Sequence, residues 1–272
     1  AKNAKTISEI LGTNHTELII SPDEALKVIP ELPNIWDEPF ADSSQIPTLL
    51  VSRLARKDVT VVLSGDGGDE IFCGYNRYSR GYDFQKISNL LPANIKPFIR
   101  KILLKSPEKF LGGLLGYKSF NRKIPHFHNI LKKLNNILDL ENDQSFYMSL
   151  ISIIHNPGNL ILNTEEHEFL LNNKKLWPKL DNFRETMMIL DTLTYLPDDI
   201  LTKVDRASMS CSLEARTPFL DHKLVEWAWS QPLKSKLNQG QTKWCIKKYL
   251  KEYLPMKIIN SPKRGFSIPI DL

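Results

Sequence analysis

The first 80 residues alternate between helical and extended hydrophobic patterns. The first group of apolar residues has helical spacing and predicts a helix: Ala4, Ile7, Ile10 and Leu11. Gly12 follows where a glycine commonly ends a helix. Residues 15–20 are typical of a β-strand. Ser21-Pro-Asp-Glu24 has the pattern of a capping box with proline in the first turn, and it predicts a helix through about Pro30.

A second helix and strand follow. Residues 36–42 predict a loop, and Ser43 or Ser44 is expected to cap a helix through Leu54. The run Asp58–Leu63 is apolar without alternation, which is typical of a buried strand in a parallel sheet. The order of elements predicts an α/β fold with a parallel sheet, in which function lies at the carboxyl end of the strand.

From Arg80 to about Leu180 the pattern changes to short helical segments separated by prolines. We therefore divide the chain into an α/β half, residues 1–80, and a mainly helical remainder, residues 81–272. Gly112–Gly113 predicts a break in this region. The lysine pairs at 132–133 and 174–175 predict solvated faces.

Composition favours a soluble enzyme domain. The chain has 272 residues, of which 42% are hydrophobic and 25% charged, enough for a large core. No apolar run is long enough to cross a bilayer, and no signal peptide opens the sequence, so no membrane role is expected. The cysteines are odd in number and widely spaced, which suits a reduced cytoplasm. A net charge of +5 is too small to predict nucleic-acid binding.

The loop after the predicted strand carries the strongest chemical signal. Its residues Ser64-Gly-Asp-Gly-Gly-Asp-Glu70 combine Gly65, Gly67 and Gly68, which permit close approach of a ligand to the backbone, with three carboxylates. If Asp66, Asp69 and Glu70 pack together, their mutual repulsion calls for an external cation. One interpretation is a phosphate and Mg²⁺ site. The alternative is a Gly-Asp turn that leads into a helix.

Charged residues return in two later segments. The signs of the charges alternate over 198–221, which predicts a helical stretch with surface ion pairs. Within it, Arg216 next to proline and phenylalanine is expected to be partly buried, where its guanidinium suits a carboxylate or phosphate. Lys243 opens an amphipathic helix, and a lysine at that position is unfavourable unless an anion lies nearby.

Four segments resemble the synthetase domain of the glutamine-dependent asparagine synthetases. Residues 63–75, LSGDGGDEIFCGY, are similar to the pattern LSG[ED]GxDExFxGY of that family. Residues 196–221 resemble its LPDDxLxKxDRxSMxxSxEARxPFLD pattern. Residues 240–244 resemble its G-x-x-K site, and residues 262–266 its basic C-terminal loop. The motifs stand in the expected order and cover nearly the whole chain.

The resemblance implies a fold and a reaction. The fold is a partial parallel sheet of the adenine-nucleotide alpha-hydrolase, or PP-loop ATP pyrophosphatase, type with a large helical remainder. The reaction is ATP-dependent amidation of aspartate to asparagine through a β-aspartyl-adenylate. Its cofactors are ATP and Mg²⁺. Its ammonia comes from glutamine in a separate, fused glutaminase domain, and the resemblance leaves a homodimer open.

The resemblance also assigns residues. Ser64 and Gly65, with Gly67 and Gly68, would bind the nucleotide, and Asp69 would bind Mg²⁺. Lys243 would neutralise charge on the phosphates, and Asp66 stands where the family often has a glutamate proposed as the general base for ammonia. Glu214 and Arg216 would help form the acceptor pocket for aspartate or an aspartate-like substrate.

Two alternatives remain open. One is a related acyl-adenylating enzyme with another acceptor, such as a β-lactam synthetase or an amidating enzyme of surface-polysaccharide pathways. The other is a non-catalytic binding domain that retains the fold. The family's SGGxDS loop is absent from these residues, so the segment is expected to be incomplete at both ends and inactive by itself.

Overall fold

The computed structural model describes residues 2–92, 94–105, 138, 140, 142–152 and 167–261. Two compact units make up the fold: Ala1–Tyr75 together with Met188–Leu272, and Asn76–Met187. The first unit therefore combines the two ends of the sequence. These two units are defined by packing alone. The division into domains near residue 80 therefore stays a prediction.

Helices predominate in the described residues. In chain order they are α1 Lys2–Leu11, α2 Pro22–Val28, α3 Leu32–Trp36, α4 Gln45–Ala55, α5 Gly68–Ile71, α6 Tyr82–Leu90, α7 Lys96–Lys105, α8 Asp143–Ile151, α9 Phe183–Leu193, α10 Thr202–Met209, α11 His222–Ser230, α12 Leu233–Lys236, α13 Trp244–Leu250 and α14 Met256–Ile259. Single helical turns add Ile29–Glu31, Arg77–Gly81, Lys174–Leu176, Leu196–Leu201 and Pro218–Leu220. No helix within these ranges combines the length and hydropathy needed to span a bilayer.

The strands are short and form two small sheets. They are β1 Val61–Leu63, β2 Glu214–Arg216, β3 Leu237–Asn238 and β4 Gln241–Thr242. The pair β1 and β2 is parallel, with Val61 opposite Glu214 and Leu63 opposite Arg216. The pair β3 and β4 is antiparallel. The fold is thus mixed α/β, mostly helical with a small parallel sheet.

Local signals at the start of the chain are confirmed. Helix α1 ends at Leu11, and Gly12 follows with φ +65°, a conformation that glycine adopts at little cost. Ser21 caps α2: its hydroxyl accepts from the Glu24 amide at 3.2 Å, and the Glu24 carboxylate accepts from the Ser21 amide at 2.8 Å. These bonds satisfy backbone donors that the first turn of a helix leaves unpaired.

The helix α4 begins where predicted but is capped differently. Ser44 is its N-cap residue, yet its hydroxyl donates to Asp42 Oδ1 at 2.7 Å and makes no bond to a helix amide. The Ser44 amide also donates to Asp42 Oδ1, at 2.8 Å. Asp42 therefore orders the turn into α4.

Two predictions about strands are wrong. Residues 15–20 have no regular secondary structure, because no described strand pairs with them. The strand β1 does form, but it is not buried, since the residues Val61 and Leu63 are 40% and 73% exposed. Within the described residues, β2 is the only neighbour of β1, and one partner strand does not enclose both faces.

The helical prediction for 198–221 holds only in part. The chain is helical through Met209, after which Ser212 takes φ +57° and residues 214–216 form β2. The Glu214 amide donates to the Thr60 carbonyl at 2.9 Å, and the Ser64 amide donates to the Arg216 carbonyl at 2.8 Å. Pairing with β1 therefore overrides the local helical pattern.

A hydrophobic cluster holds the first part of unit one together. It joins α2, α3 and α4 to α10 through Ala25, Val28, Trp36, Ile46, Leu49 and Ala207. Beside this cluster, Lys203 Nζ lies 2.6 Å from Asp42 Oδ2, and both side chains are largely buried. The predicted pairing of charges in 198–221 thus includes a buried pair as well as the exposed pair Arg206–Asp37 at 2.6 Å.

A third charge completes this buried group. The pKa of Asp42 lies below its ordinary value, because hydrogen bonds from Lys203 and Ser44 outweigh the effect of burial. Burial, together with the charge of Asp42, raises the pKa of Asp199 to about 6. Asp199 therefore keeps its proton up to about pH 6, and this relieves repulsion between the two carboxyl groups in that range.

In its described residues, the second unit contains short helices, as predicted. Leu138 packs with Phe84, Leu91 and Ile99, and a separate group of aromatic rings joins Tyr82, Phe146, Tyr147, Trp177 and Phe183. Lys174 and Lys175 are solvated as predicted. The predicted break at 112–113, the lysine pair at 132–133 and the basic loop at 262–266 lie outside the described residues.

The group around Asp199 makes stability depend on pH. A raised pKa means that protonation favours the folded state, so the stabilising contribution is complete at low pH and is lost as pH rises through about 6. Asp199→Asn keeps a neutral side chain at every pH. We expect this variant to gain about 1 kcal/mol over the parent near pH 7.5 and little near pH 4.5, allowing for partial exposure.

Urea denaturation at both pH values measures this difference. The exposed neighbour Asp198 provides the matched control, Asp198→Asn, which should show no pH-dependent gain. An equal gain for Asp199→Asn at the two pH values would contradict the assignment of the proton to Asp199.

Candidate active site

The candidate site lies at the carboxyl end of β1, where a loop leads into α5. The Ser64 hydroxyl donates to Asp66 Oδ2 at 2.6 Å and accepts from the Asp66 amide at 3.3 Å. Gly65, between them, is exposed, and a Cβ added there would meet no atom within 4 Å. The loop therefore presents open backbone next to a hydroxyl and a carboxylate.

The glycines 67 and 68 have a different surrounding. Gly67 is buried with φ +83°, and a Cβ there would lie 2.7 Å from Leu220 Cγ. Gly68 is buried against Phe219, whose Cδ2 would lie 3.2 Å from an added Cβ. The turn Pro218–Leu220 thus packs closely on both glycines, and the left-handed backbone is a further reason for glycine at residue 67. The close approach expected of a ligand at these two positions is made here by protein side chains.

The three carboxylates of the loop do not form the cluster that the sequence predicted. Asp66 is bonded to Ser64, Asp69 faces Lys243, and Glu70 accepts a hydrogen bond from the Tyr75 hydroxyl at 2.6 Å. Successive residues of a helix point about 100° apart, so α5 directs Asp69 and Glu70 to different partners. In the described ranges, no group of three or more His, Cys, Asp or Glu residues could hold a metal ion.

Glu70 is enclosed rather than presented to a ligand. It is buried, and burial raises its pKa, with a further contribution from the charges of Asp69 and Asp191. Burial also raises the pKa of Tyr75, and the neighbouring charge of Glu70 adds to this effect. A tyrosine hydroxyl that stays protonated is a permanent donor to Glu70. This pair therefore ties Tyr75 to the start of α5.

Lys243 reaches the loop from the far end of the sequence. It is the N-cap residue of α13, as predicted, and takes φ +54°. Its amide donates to the Phe72 carbonyl at 3.2 Å, and its Nζ lies 3.1 Å from Asp69 Oδ1. The anion that the sequence required near this lysine is thus Asp69. The two side chains are 30% and 24% exposed, so solvent still reaches the pair.

An apolar cluster fixes this approach. Ile71, Phe72 and Ala228 are buried, and Phe219, Leu220, Leu224, Val225, Cys245 and Ile246 pack against them. The cluster joins α5, the turn Pro218–Leu220, α11 and α13. Asp221 caps α11 by accepting from the Lys223 amide at 2.9 Å. The hydrophobic contacts therefore bring Lys243 to Asp69, while the ion pair sets only the final geometry.

The predicted acceptor residues lie on β2, next to the start of the loop. Arg216 Nε is 2.7 Å from Glu214 Oε1, and the side chains are 64% and 54% exposed. The expectation of a partly buried Arg216 is wrong, because alternate residues of β2 project to the same open face. Residues 214 and 216 are paired with each other and accessible.

The sequence interpretation gave no role to Gly74. Its amide donates to the Asp69 carbonyl at 2.7 Å, and it lies against both Asp69 and the stem of Lys243. Its place in the 63–75 motif was visible in the sequence, but its contact with Lys243 was not. Cys73, Cys211 and Cys245 form no disulfide, and Cys73 is buried in the turn before Gly74.

Comparison with known proteins connects this geometry to one family. The family model for asparagine synthase matches residues 1–271. Asparagine synthetase [glutamine-hydrolyzing] 1 of Bacillus subtilis (strain 168) is 30% identical over 276 residues, which cover 98% of this chain and 40% of the relative. The family resemblance drawn from the four motifs is confirmed.

Other relatives have similar coverage. A putative asparagine synthetase [glutamine-hydrolyzing] of Mycobacterium tuberculosis (strain ATCC 25618 / H37Rv) is 29% identical over 264 residues, which cover 97% of this chain and 38% of the relative. The putative asparagine synthetase [glutamine-hydrolyzing] 2 of Methanocaldococcus jannaschii is 35% identical over 210 residues, covering 75% and 36%. The chain spans about two fifths of the length of these curated relatives.

The packing of Gly67 generates a prediction about stability. Gly67→Ala places a side chain on Leu220 and forces alanine into a left-handed backbone. We expect the free energy of unfolding to fall by about 2–4 kcal/mol, from strain and overpacking together. Gly65→Ala is the matched control, since open space at that position predicts a change within about 0.5 kcal/mol. Urea denaturation followed by circular dichroism compares the two, and equal losses would refute the distinction.

Proposed function

The chain belongs to the asparagine synthase family, and we propose that it contributes the synthetase site of an ATP-dependent enzyme that converts aspartate to asparagine. A carboxylate is a poor electrophile, and adenylation of the aspartate side chain supplies AMP as a leaving group. Ammonia then attacks the acyl-adenylate, giving asparagine and AMP. The observation that carries the proposal is the Asp69–Lys243 pair beside an open, glycine-containing loop.

The nucleotide would lie against the exposed part of the loop. Ser64 and Gly65 follow the carboxyl end of β1, where ligands of parallel α/β folds commonly bind. Gly65 offers unobstructed backbone, and Ser64 offers a hydroxyl. Gly67 and Gly68 would act through the shape of the turn, because Leu220 and Phe219 occupy the space beside them.

Asp69 fits a magnesium ion that arrives with the nucleotide. Mg²⁺ commonly takes one or two protein carboxylates together with substrate phosphates, and Asp69 is a partly exposed carboxylate next to the loop. The described residues hold no cluster able to bind a metal without such a substrate. The ion would supply charge neutralisation for the departing pyrophosphate. Asp69 would hold it beside the Lys243 ammonium.

Lys243 would stabilise negative charge that develops on the phosphates. Its backbone is fixed by the bond to Phe72, so the ammonium is placed before a substrate binds. Lys247 follows one helical turn later, and its pKa is lowered by burial and then by the charge of Lys243. A second cation close to Lys243 increases the attraction of this end of α13 for an anion.

Asp66 and the residues of β2 would serve the acceptor side of the reaction. Asp66 is held by Ser64, and as a general base it would take a proton from ammonia within hydrogen-bond reach. Arg216 is exposed and its guanidinium suits the carboxylate of aspartate, with Glu214 as its present partner. Glutamine would provide the ammonia through a glutaminase domain, an activity stated in the names of the relatives.

The test uses the full-length protein. ATP–pyrophosphate exchange that depends on aspartate is expected, together with asparagine formation from either glutamine or ammonia. Exchange that requires a different carboxylic acid would redirect the proposal to a related acyl-adenylating enzyme. Failure to bind ATP or Mg²⁺·pyrophosphate at all would favour a non-catalytic binding domain.

A first prediction concerns Asp69. Asp69→Asn removes the charge at nearly constant volume, so the full-length enzyme should stay folded but lose Mg²⁺·pyrophosphate binding and the exchange reaction. Isothermal titration calorimetry with Mg²⁺·pyrophosphate and a thermal melt check the two parts. The exposed Asp58 supplies the control, Asp58→Asn, which should behave as the parent. Unchanged exchange in Asp69→Asn would exclude the metal role.

A second prediction concerns Lys243. Lys243→Ala should lower kcat for adenylation by about 10²-fold or more while ATP affinity is nearly preserved, as for loss of one preorganised electrostatic group. Steady-state exchange kinetics and equilibrium binding of ATP measure the two quantities. Lys248, exposed on the same helix, provides the control Lys248→Ala. Lost ATP affinity at an unchanged kcat would mean that Lys243 binds only the ground state.

A further inference from the structure

Gly74 lies at the point where Asp69 and Lys243 meet. Its amide donates to the Asp69 carbonyl at 2.7 Å, which closes the turn after α5. Its φ lies outside the left-handed region, unlike that of Gly67. A left-handed backbone therefore does not explain the glycine at residue 74. A reason for glycine has to come from the surroundings.

The surroundings leave no room for a side chain. A Cβ at residue 74 would lie 2.8 Å from Asp69 Cα and would overlap both Asp69 Oδ1 and Lys243 Cε. These are the carboxylate oxygen of the ion pair and the last carbon of the lysine stem. The smallest possible side chain would thus occupy the space in which the two charged groups meet.

Lys243 cannot avoid this space by a shift of its own backbone. Its amide is bonded to the Phe72 carbonyl, two residues before Gly74. The helix that follows is packed through Cys245 and Ile246 against Ile71 and Phe72. The segment 72–74 therefore both anchors the Lys243 backbone and borders its side chain. Added volume at residue 74 has to be relieved by movement of the lysine stem and of Asp69, whose Cα and carboxylate both border this space.

We propose that Gly74 is a positioning residue. Because it has no side chain, it leaves free the space in which the Lys243 stem reaches Asp69. A larger residue at this position displaces the ammonium from the carboxylate. It thereby removes the ammonium from the place where the phosphates would need it. This consequence for catalysis rests on the proposed function, whereas the displacement itself concerns only the folded protein.

Competitive labelling of lysines with an amine-reactive anhydride, read by mass spectrometry of the full-length protein, tests the displacement without any substrate. In Gly74→Ala, Lys243 should be labelled about threefold faster than in the parent, as expected when a partly exposed ion pair is lost. Lys248 serves as an internal reference because it is exposed on the same helix. An unchanged rate at Lys243 in a folded Gly74→Ala protein would overturn the proposal.

Gly81→Ala is the matched control. Gly81 has φ −60°, and a Cβ there makes only ordinary contacts, 3.6 Å to Asn76 O and 3.7 Å to Phe146 Cζ. This variant should leave the labelling of Lys243 and the exchange activity unchanged.

If Gly74→Ala does not fold, the folding of the double variant Gly74→Ala/Lys243→Ala tests the proposal instead. Recovered folding supports the proposal, because the Lys243 stem is then the decisive obstacle to a side chain at residue 74. A double variant that still fails to fold overturns it, because contact with Asp69 would then be enough to require glycine.

Pyrophosphate exchange then tests the catalytic consequence. Gly74→Ala should lower exchange as Lys243→Ala does, and the double variant should be no slower than Lys243→Ala alone, since both changes remove the same interaction. If the double variant lost as much exchange activity as the two single variants combined, the positioning role would be overturned. If the parent protein shows no exchange, the proposed function fails, while the labelling experiment still decides the role of Gly74.

Discussion

The site depends on apolar packing between segments that are far apart in the sequence. Phe219 and Leu220 lie on the glycines of the loop, and the same cluster seats α13 against α5 through Ile71 and Phe72. A partly exposed ion pair is worth at most about 1 kcal/mol, whereas each fully buried large side chain contributes about 1.5–3 kcal/mol. The cluster therefore decides where Lys243 lies, and the charges decide only how its end is oriented.

In the unit that contains the candidate site, several carboxylates each have a separate partner. Asp69 has Lys243, Glu70 has Tyr75, and Asp42 has Lys203. Burial still raises the pKa of Glu70 and of Asp199, because a surrounding of low dielectric constant disfavours the charged form of a carboxyl group. Of these groups, the Asp69–Lys243 pair combines partial exposure with a position next to the open loop. This combination is the reason why we propose this pair, and not the pairs that order the fold, as the site for a charged ligand.

Glycine serves three separate purposes within one short segment. At residue 65 it leaves open space, at 67 and 68 it admits the side chains of Leu220 and Phe219, and at 74 it admits the lysine stem. The loop resembles a simple phosphate-binding turn in its composition. Its geometry instead leaves one glycine open, packs two against the core and places one beside the ion pair. Glycines in such a motif therefore serve protein packing as well as open backbone.

Local interactions were readable from the sequence, and contacts between distant segments were not. The Ser21 capping box, the end of α1 at Gly12, the start of α13 at Lys243 and the family itself follow from neighbouring residues or motif order, because a cap or turn is completed within a few residues. Tertiary structure alone turned 214–216 into a strand, exposed Arg216, separated the carboxylates and placed Gly74 between Asp69 and Lys243. Such features depend on the partner that long-range packing supplies, and local propensity does not contain that information.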